Sequence, residues 1–266
     1  MAPALLSLSL LAGFVTDHVD YGPDPKQKID VTRKDGAVAL PVVVFLHGGV
    51  WQTGDRSQYQ HVGLALAARG FVAVTASYRL APQHRWPAQI DDAAAIFALV
   101  KKQATSWGGD PKKVFLLGHS AGGQLAMLLL YDPQQLAKHQ LSPKDVAGVV
   151  VLSGVFDLRS PLDEGQDDGG RARFIDPVFG RDVKTLRAAS PVDVAQKTGT
   201  PLLFITSTND YAAMRAQTEQ MARVLAVLGE KVPVVVVDGP DHFALVTEIG
   251  APGDRVTEEI TRFLRR

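Results

Sequence analysis

The pentapeptide Gly118-His119-Ser120-Ala121-Gly122, extended by Gly123, sits between the apolar run Val114 to Leu117 and an apolar helical pattern from Gly123 to Tyr131. A serine flanked by glycines two residues to either side, on a turn between strand and helix, has the pattern of a nucleophile held above a sheet. The turn is so tight that a Cβ at position 118 or 122 would collide, so the chemistry requires glycine there. Ser120 is therefore the candidate nucleophile. A hydroxyl attacks a carbonyl only when a base takes its proton, which calls for a histidine within hydrogen-bond reach. Of the seven histidines, only His242 follows the last apolar run, on the loop Asp238-Gly239-Pro240-Asp241-His242-Phe243. It also completes the chain order serine, acid, histidine.

The acid must hold the imidazole tautomer and stabilise the imidazolium. Asp210 follows the run Leu202 to Ile205 and leads into the next helical pattern, which favours it. Asp157, in Ser153-Gly154-Val155-Phe156-Asp157 after the run Val149 to Leu152, is a rival on the same positional criterion. Asp241 is expected to point away from the adjacent imidazole. Donors for the oxyanion come from His47-Gly48-Gly49-Val50-Trp51 after the run Val42 to Leu46, whose glycines let successive N–H groups face one concavity. The expected donors are the amides of Gly49, Val50 and Ala121. Trp51 is a candidate to line the substrate pocket or to pack beneath the loop, and His119 is a candidate substrate contact. His47 is expected to brace the loop, and Arg79 to pair with Asp91 or Asp92 as a structural wall.

These residues need a scaffold that brings separate strand ends together. The runs Val42 to Leu46, Phe71 to Thr75, Val114 to Leu117, Val149 to Leu152, Leu202 to Ile205 and Val232 to Val237 are apolar and β-branched, as in strands buried on both faces. Between them lie helical patterns at Val62 to Ala68, Gln89 to Lys102, Gly123 to Tyr131, Ala212 to Leu228 and Arg255 to Leu264. In the fourth, Met214, Met221, Leu225 and Leu228 recur at helical spacing, a core-facing stripe. Before this alternation, His18 to Tyr21 and Lys28 to Thr32 flank Gly22-Pro23-Asp24-Pro25 and predict a hairpin. The whole reads as an α/β fold with a mostly parallel sheet covered by helices, in which ligands bind at the carboxyl ends of the strands. The singled-out residues all lie there. A single domain over residues 1–266 is expected, with no large cap. Residues 1–15 read as an N-terminal helix or lid segment, with Leu5, Leu6, Leu8, Leu11 and Phe14 on the core. Residues 157–186 follow neither periodicity and are expected to form a flexible rim loop over the site.

Composition narrows the function classes. The 266 residues are 46% hydrophobic and 21% charged, a globular make-up rather than a disordered one. Lys plus Arg and Asp plus Glu number 28 each, which leaves no net field for a polyanion. Nucleic acid is not an expected partner. The absence of cysteine excludes disulfides, thiolate zinc sites and a thiol nucleophile. The apolar stretch Leu5 to Val15 is too short to span a bilayer, and the first basic side chain is Lys26, so the positive start of a signal peptide is missing. The expected compartment is the cytoplasm, with a secreted or periplasmic location left open, and the expected state is a monomer or homodimer.

The combination of Tyr21-Gly22-Pro23-Asp24-Pro25, His47-Gly48-Gly49-Val50-Trp51, Tyr78-Arg79-Leu80-Ala81-Pro82, Gly118-His119-Ser120-Ala121-Gly122-Gly123 and Asp241-His242-Phe243 resembles the α/β-hydrolase superfamily from about Tyr21 onward. Within it, the chain is most similar to the hormone-sensitive-lipase-like carboxylesterases, in the branch of small feruloyl, acetyl-xylan and arylformamidase-type enzymes. The resemblance implies a Ser120, Asp210, His242 triad, an eight-stranded mostly parallel sheet, and hydrolysis of a small-molecule ester with no metal or cofactor. Val50 stands where the lipase-like enzymes carry a third glycine. That departure matches the smaller esterase and formamidase branch and argues against bulky tertiary-alcohol esters. The expected activity is that of a serine carboxylesterase on short to medium acyl esters, aryl or acetylated-sugar esters included. An arylformamidase-type amide hydrolase using the same residues is the alternative, and a non-catalytic ligand-binding protein on the same fold is a more distant one.

Overall fold

The computed structural model describes residues 13–160 and 168–266. Its strands are β1 (Phe14–Asp20), β2 (Lys28–Lys34), β3 (Leu40–Leu46), β4 (Val72–Ala76), β5 (Gly109–His119), β6 (Gly148–Leu152), β7 (Leu202–Asn209) and β8 (Val234–Asp241). They form one sheet in the order β1-β2-β4-β3-β5-β6-β7-β8. β2 pairs antiparallel with β1 and β4, and every later pairing is parallel. The hairpin forms as expected, because two prolines and a glycine bar the intervening segment from either ladder.

The helices are α1 (Gln60–Ala68), α2 (Ala88–Gln103), α3 (Ala121–Tyr131), α4 (Pro133–Ala137), α5 (Asp168–Phe174), α6 (Asp176–Phe179), α7 (Val183–Ala188), α8 (Pro191–Val194), α9 (Ala212–Val227), α10 (Ala244–Thr247) and α11 (Arg255–Leu264). The run in β3 shows why a continuous apolar strand is needed. Val42, Val44 and Leu46 join a core with Phe97 of α2, Leu125 of α3 and Met221 of α9. Val43 and Phe45 join a second core with Leu66 of α1 and Ile260 of α11. Alternate side chains thus enter opposite layers, and a polar residue on either face would be buried without a partner.

Three expectations need correction. The helix or lid expected over residues 1–15 lies outside the described residues as far as residue 12, but Phe14 and Val15 belong to β1 rather than to a helix. Paired against Arg33 and Lys34, they complete the edge ladder of the sheet. The segment 157–186 is not an unpatterned loop throughout: α5, α6 and the start of α7 occupy its described second half. These helices are of one to two turns, too short to show a helical period in the sequence, and they start on local signals such as Pro177 in α6 and the Asp182 carboxylate accepting from Thr185 N. The rest of that expectation, residues 161–167, lies outside the described residues. The last strand also runs past Val237 to Asp241, through Gly239 and Pro240. β8 is an edge strand, where a missing N–H can face away from the ladder.

Candidate active site

β5 runs into Ser120, whose φ of 53° lies in the left-handed region, and α3 starts at the next residue. The reversal is tight enough that a Cβ on Gly118 would meet the Gly122 backbone, and one on Gly122 would meet the Leu46 and His47 carbonyls. A Cβ on Gly123 would press on Val151 and Gly154. The elbow is pinned by Ser120 N donating to Leu152 O at 3.0 Å, and by Gly123 N donating to Ser120 O at 2.9 Å. As the first residue of α3, Ala121 has an N–H with no intrahelical acceptor.

The second wall is the loop after β3. Gly49 takes φ 110°, and a Cβ there would strike the Thr53 backbone. Val50 and Trp51 follow at φ 48° and 59°, a costly conformation for residues carrying a Cβ. Surrounding bonds hold it. Gln52 N and Thr53 N both donate to Gly49 O, at 3.0 and 2.9 Å, and Ala81 N donates to Trp51 O at 2.9 Å. Trp51 is fully buried beneath the loop, its Nε1 donating to Gln124 Oε1 at 3.0 Å, while Gln124 Nε2 donates to Ala189 O at 2.8 Å. Trp51 is therefore a strut and does not line the cavity, which settles its two readings in favour of packing. His47 braces the loop as expected, with Nδ1 donating to Gly48 O at 2.6 Å and its ring stacked on Tyr78, whose hydroxyl donates to His47 O at 2.8 Å.

His242 follows directly on β8 and is buried. Its Nδ1 lies 2.9 Å from Asp210 Oδ1 and 3.0 Å from Ser153 Oγ. Asp210 in turn accepts from Thr206 Oγ1 at 2.9 Å and from Tyr211 N at 2.8 Å. Burial pushes the Asp210 carboxyl up, but hydrogen bonds from His242, Ser153 and Thr206 and the charge on His242 outweigh it and hold the group below the usual carboxylate range. Asp157, the rival, is turned to Arg159 at 3.0 Å. Asp241 accepts from Phe243 N and Ala244 N at the start of α10. Arg79 chooses Asp92 of its two candidates, while Asp91 pairs with Lys138.

Ser120, His242 and the backbone of Gly48, Gly49 and Val50 line one cavity of about 330 Å³. His119 lines it too, with Nε2 donating to His242 O at 2.9 Å, so this side chain ties the elbow to the histidine loop. The remaining lining comes from Thr53, Gly54, Gln58 and Tyr59 on one side and Val155, Phe174, Tyr211, Met214 and Phe243 on the other. Among the described residues that line it, none is Lys, Arg, Asp or Glu. Met214 thus does more than fill the core. Tyr59 and Phe174 carried no signal in the sequence, because short helices with no period bring them here. Ser153 stands in the same motif as Asp157, but a serine at a strand end carries no signal of its own there. Among the described residues no group of three or more His, Asp or Glu is placed to hold a metal ion, and no helix is long and apolar enough to cross a membrane.

Two buried histidines give a testable acid limit. Burial lowers His47 to about 4, and burial together with the nearby His242 lowers His119 to about 3, from an ordinary 6.5. In the unfolded chain both protonate below about 6.5, whereas in the folded protein they stay neutral. Stability is therefore full above that value and falls as pH drops from about 6.5 toward 4, by up to about 1.4 kcal/mol per pH unit for each histidine. Urea midpoints at pH 7.5, 6 and 5 should decline in that order. Equal midpoints at pH 7.5 and 5 would show that the rings are not buried as described.

Known proteins share this fold. The family model described as alpha/beta hydrolase fold matches residues 43–246. Esterase LipC of Mycobacterium tuberculosis is 32% identical over 241 residues, covering 85% of this chain and 59% of that protein. The chain thus spans about three fifths of the length of that relative. Kynurenine formamidase of Danio rerio is 26% identical over 243 residues, covering 87% of this chain and 75% of the relative. Among solved structures, esterase B from Lactobacillus rhamnosis superposes with a TM-score of 0.83 at 21% identity, covering 96% of this chain and 86% of the other. With the elbow, the strand order and a match over most of its length in agreement, the chain belongs to the α/β-hydrolase fold family.

Proposed function

We propose that the protein is a serine carboxylesterase acting on uncharged esters of short to medium acyl chain, aryl and acetylated-sugar esters included. The observation that carries this reading is the Asp210–His242 pair together with an elbow serine on one cavity whose described lining holds no Lys, Arg, Asp or Glu. Ser120 Oγ attacks the ester carbonyl as the ring nitrogen of His242 not bonded to Asp210, Nε2, takes its proton. The resulting oxyanion is held by the N–H groups of Gly49, Val50 and Ala121, each such donor contributing about 3 kcal/mol in comparable sites. Collapse expels the alcohol, which takes the proton back from His242 and leaves the acyl group on Ser120. A water deprotonated by the same imidazole then releases the acid and restores the hydroxyl. The chain's likeness to esterases supports the reading.

The kinetic test is a matched panel: aryl acetate, butyrate and decanoate, a feruloyl ester, an acetylated xylose and an aryl formamide. Esters should turn over with kcat/KM falling at decanoate, since a cavity of about 330 Å³ is small for that chain. The similarity to kynurenine formamidase favours a second reading, cleavage of an aryl formamide by the same residues. A formamide hydrolysed faster than every ester would establish it instead, and binding without turnover would point to a ligand-binding protein. Phe174 gives the chain-length limit a specific origin. Its backbone, with that of Arg173, accepts from Gln52 Nε2 at 3.3 and 3.1 Å, which ties α5 to the glycine loop and sets the ring on the cavity wall. Phe174→Ala should raise the decanoate to butyrate ratio of kcat/KM about tenfold. An unchanged ratio would mean that the ring does not bound the acyl site.

A further inference from the structure

Ser153 belongs to none of the roles above, yet its hydroxyl lies against the same ring nitrogen that Asp210 engages. It is buried at the end of β6 and takes φ 46°, a conformation that glycine adopts without penalty and a residue with a Cβ does not. Ser153 N donates to Ile205 O at 2.8 Å, which fixes the strained backbone to the neighbouring strand. The strain places Oγ 3.0 Å from His242 Nδ1. We propose that Ser153 is a positioning residue for the catalytic histidine, its hydroxyl oxygen sharing the Nδ1 proton with Asp210.

Counting protons decides between the possible arrangements. If the hydroxyl donated to Nδ1 instead, that nitrogen would carry no proton, and Asp210 Oδ1 at 2.9 Å would face a lone pair. The buried carboxylate disfavours that state and draws the ring proton to Nδ1. Nε2 is then free to accept from Ser120. The imidazole therefore cannot turn without losing its bond to Ser153 as well as its bond to Asp210. Gly154 next to Ser153 keeps the turn after β6 tight, since a Cβ there would strike the Val151 side chain.

This inference rests on the triad reading, and the test separates the two. Ser153→Gly, which suits the backbone, and Ser153→Ala, which keeps the Cβ, should each lower kcat about ten- to hundredfold, the worth of one hydrogen bond to a charged group. KM should stay within about twofold, and the acylation burst and the steady-state deacylation rate should slow together, since the imidazole serves both steps. In an Asp210→Asn background, Ser153→Gly should cost less than about threefold more, because both residues act through one nitrogen. Folded single variants with wild-type kcat, alongside inactive Asp210→Asn, would overturn the role of Ser153 alone, and so would losses that multiply in the double variant. Full activity in Asp210→Asn would overturn the triad reading and this inference with it.

Discussion

Ser120→Ala is expected to lower kcat by on the order of a million-fold while leaving the fold intact. The bonds that hold the elbow run through its backbone, from Ser120 N to Leu152 O and from Gly123 N to Ser120 O. Alanine keeps the Cβ, so the left-handed φ is no more strained than in the wild type. What disappears is the one atom able to form the acyl-enzyme. Residual rates should reflect only oxyanion stabilisation and substrate binding, which still exceed the uncatalysed reaction. Initial rates on aryl butyrate, with a thermal melt to confirm folding, check this. Retention of even a tenth of wild-type kcat in a folded variant would remove Ser120 from the chemistry.

The second large effect separates two carboxylates that look alike in the sequence. Asp210→Asn should lower kcat by about ten-thousand-fold, because an amide NH₂ facing Nδ1 favours the tautomer with the proton on Nε2. That ring cannot accept from Ser120. Asp157→Asn loses a bond to Arg159 and should cost stability rather than chemistry, leaving kcat within about threefold of wild type. The two variants measured side by side on one substrate give opposite outcomes if Asp210 is the acid. A collapse of kcat in Asp157→Asn with Asp210→Asn active would reverse the assignment.

Much of this was legible in the chain because it rests on local constraints. The glycines at 118 and 122 report backbone contacts that no other residue permits. The β-branched runs report burial on two faces, and strand ends in a parallel sheet gather at one edge, so topology brings Ser120 and His242 together with both candidate carboxylates. Only the 2.9 Å approach of Asp210 to His242, with Asp157 turned to Arg159, tells those two apart. What escaped the sequence depends on non-local packing. Trp51 left the pocket because Gln124, 73 positions away, satisfies its indole. The rim helices α5 to α7 are too short to print a period. Ser153 was hidden because a serine at a strand end is common, and only the three-dimensional approach of His242 gives it meaning.

Trapping the covalent intermediate tests the central claim most directly. The protein is incubated with an aryl alkylphosphonate, which reacts with an activated serine as an ester does, and the product is mapped by peptide mass. The triad on this elbow predicts one adduct per chain, on the peptide that contains Ser120, formed at a rate that collapses in His242→Ala. Steady ester turnover with no adduct, or an adduct on another residue at the rate that inactivates the enzyme, would contradict it.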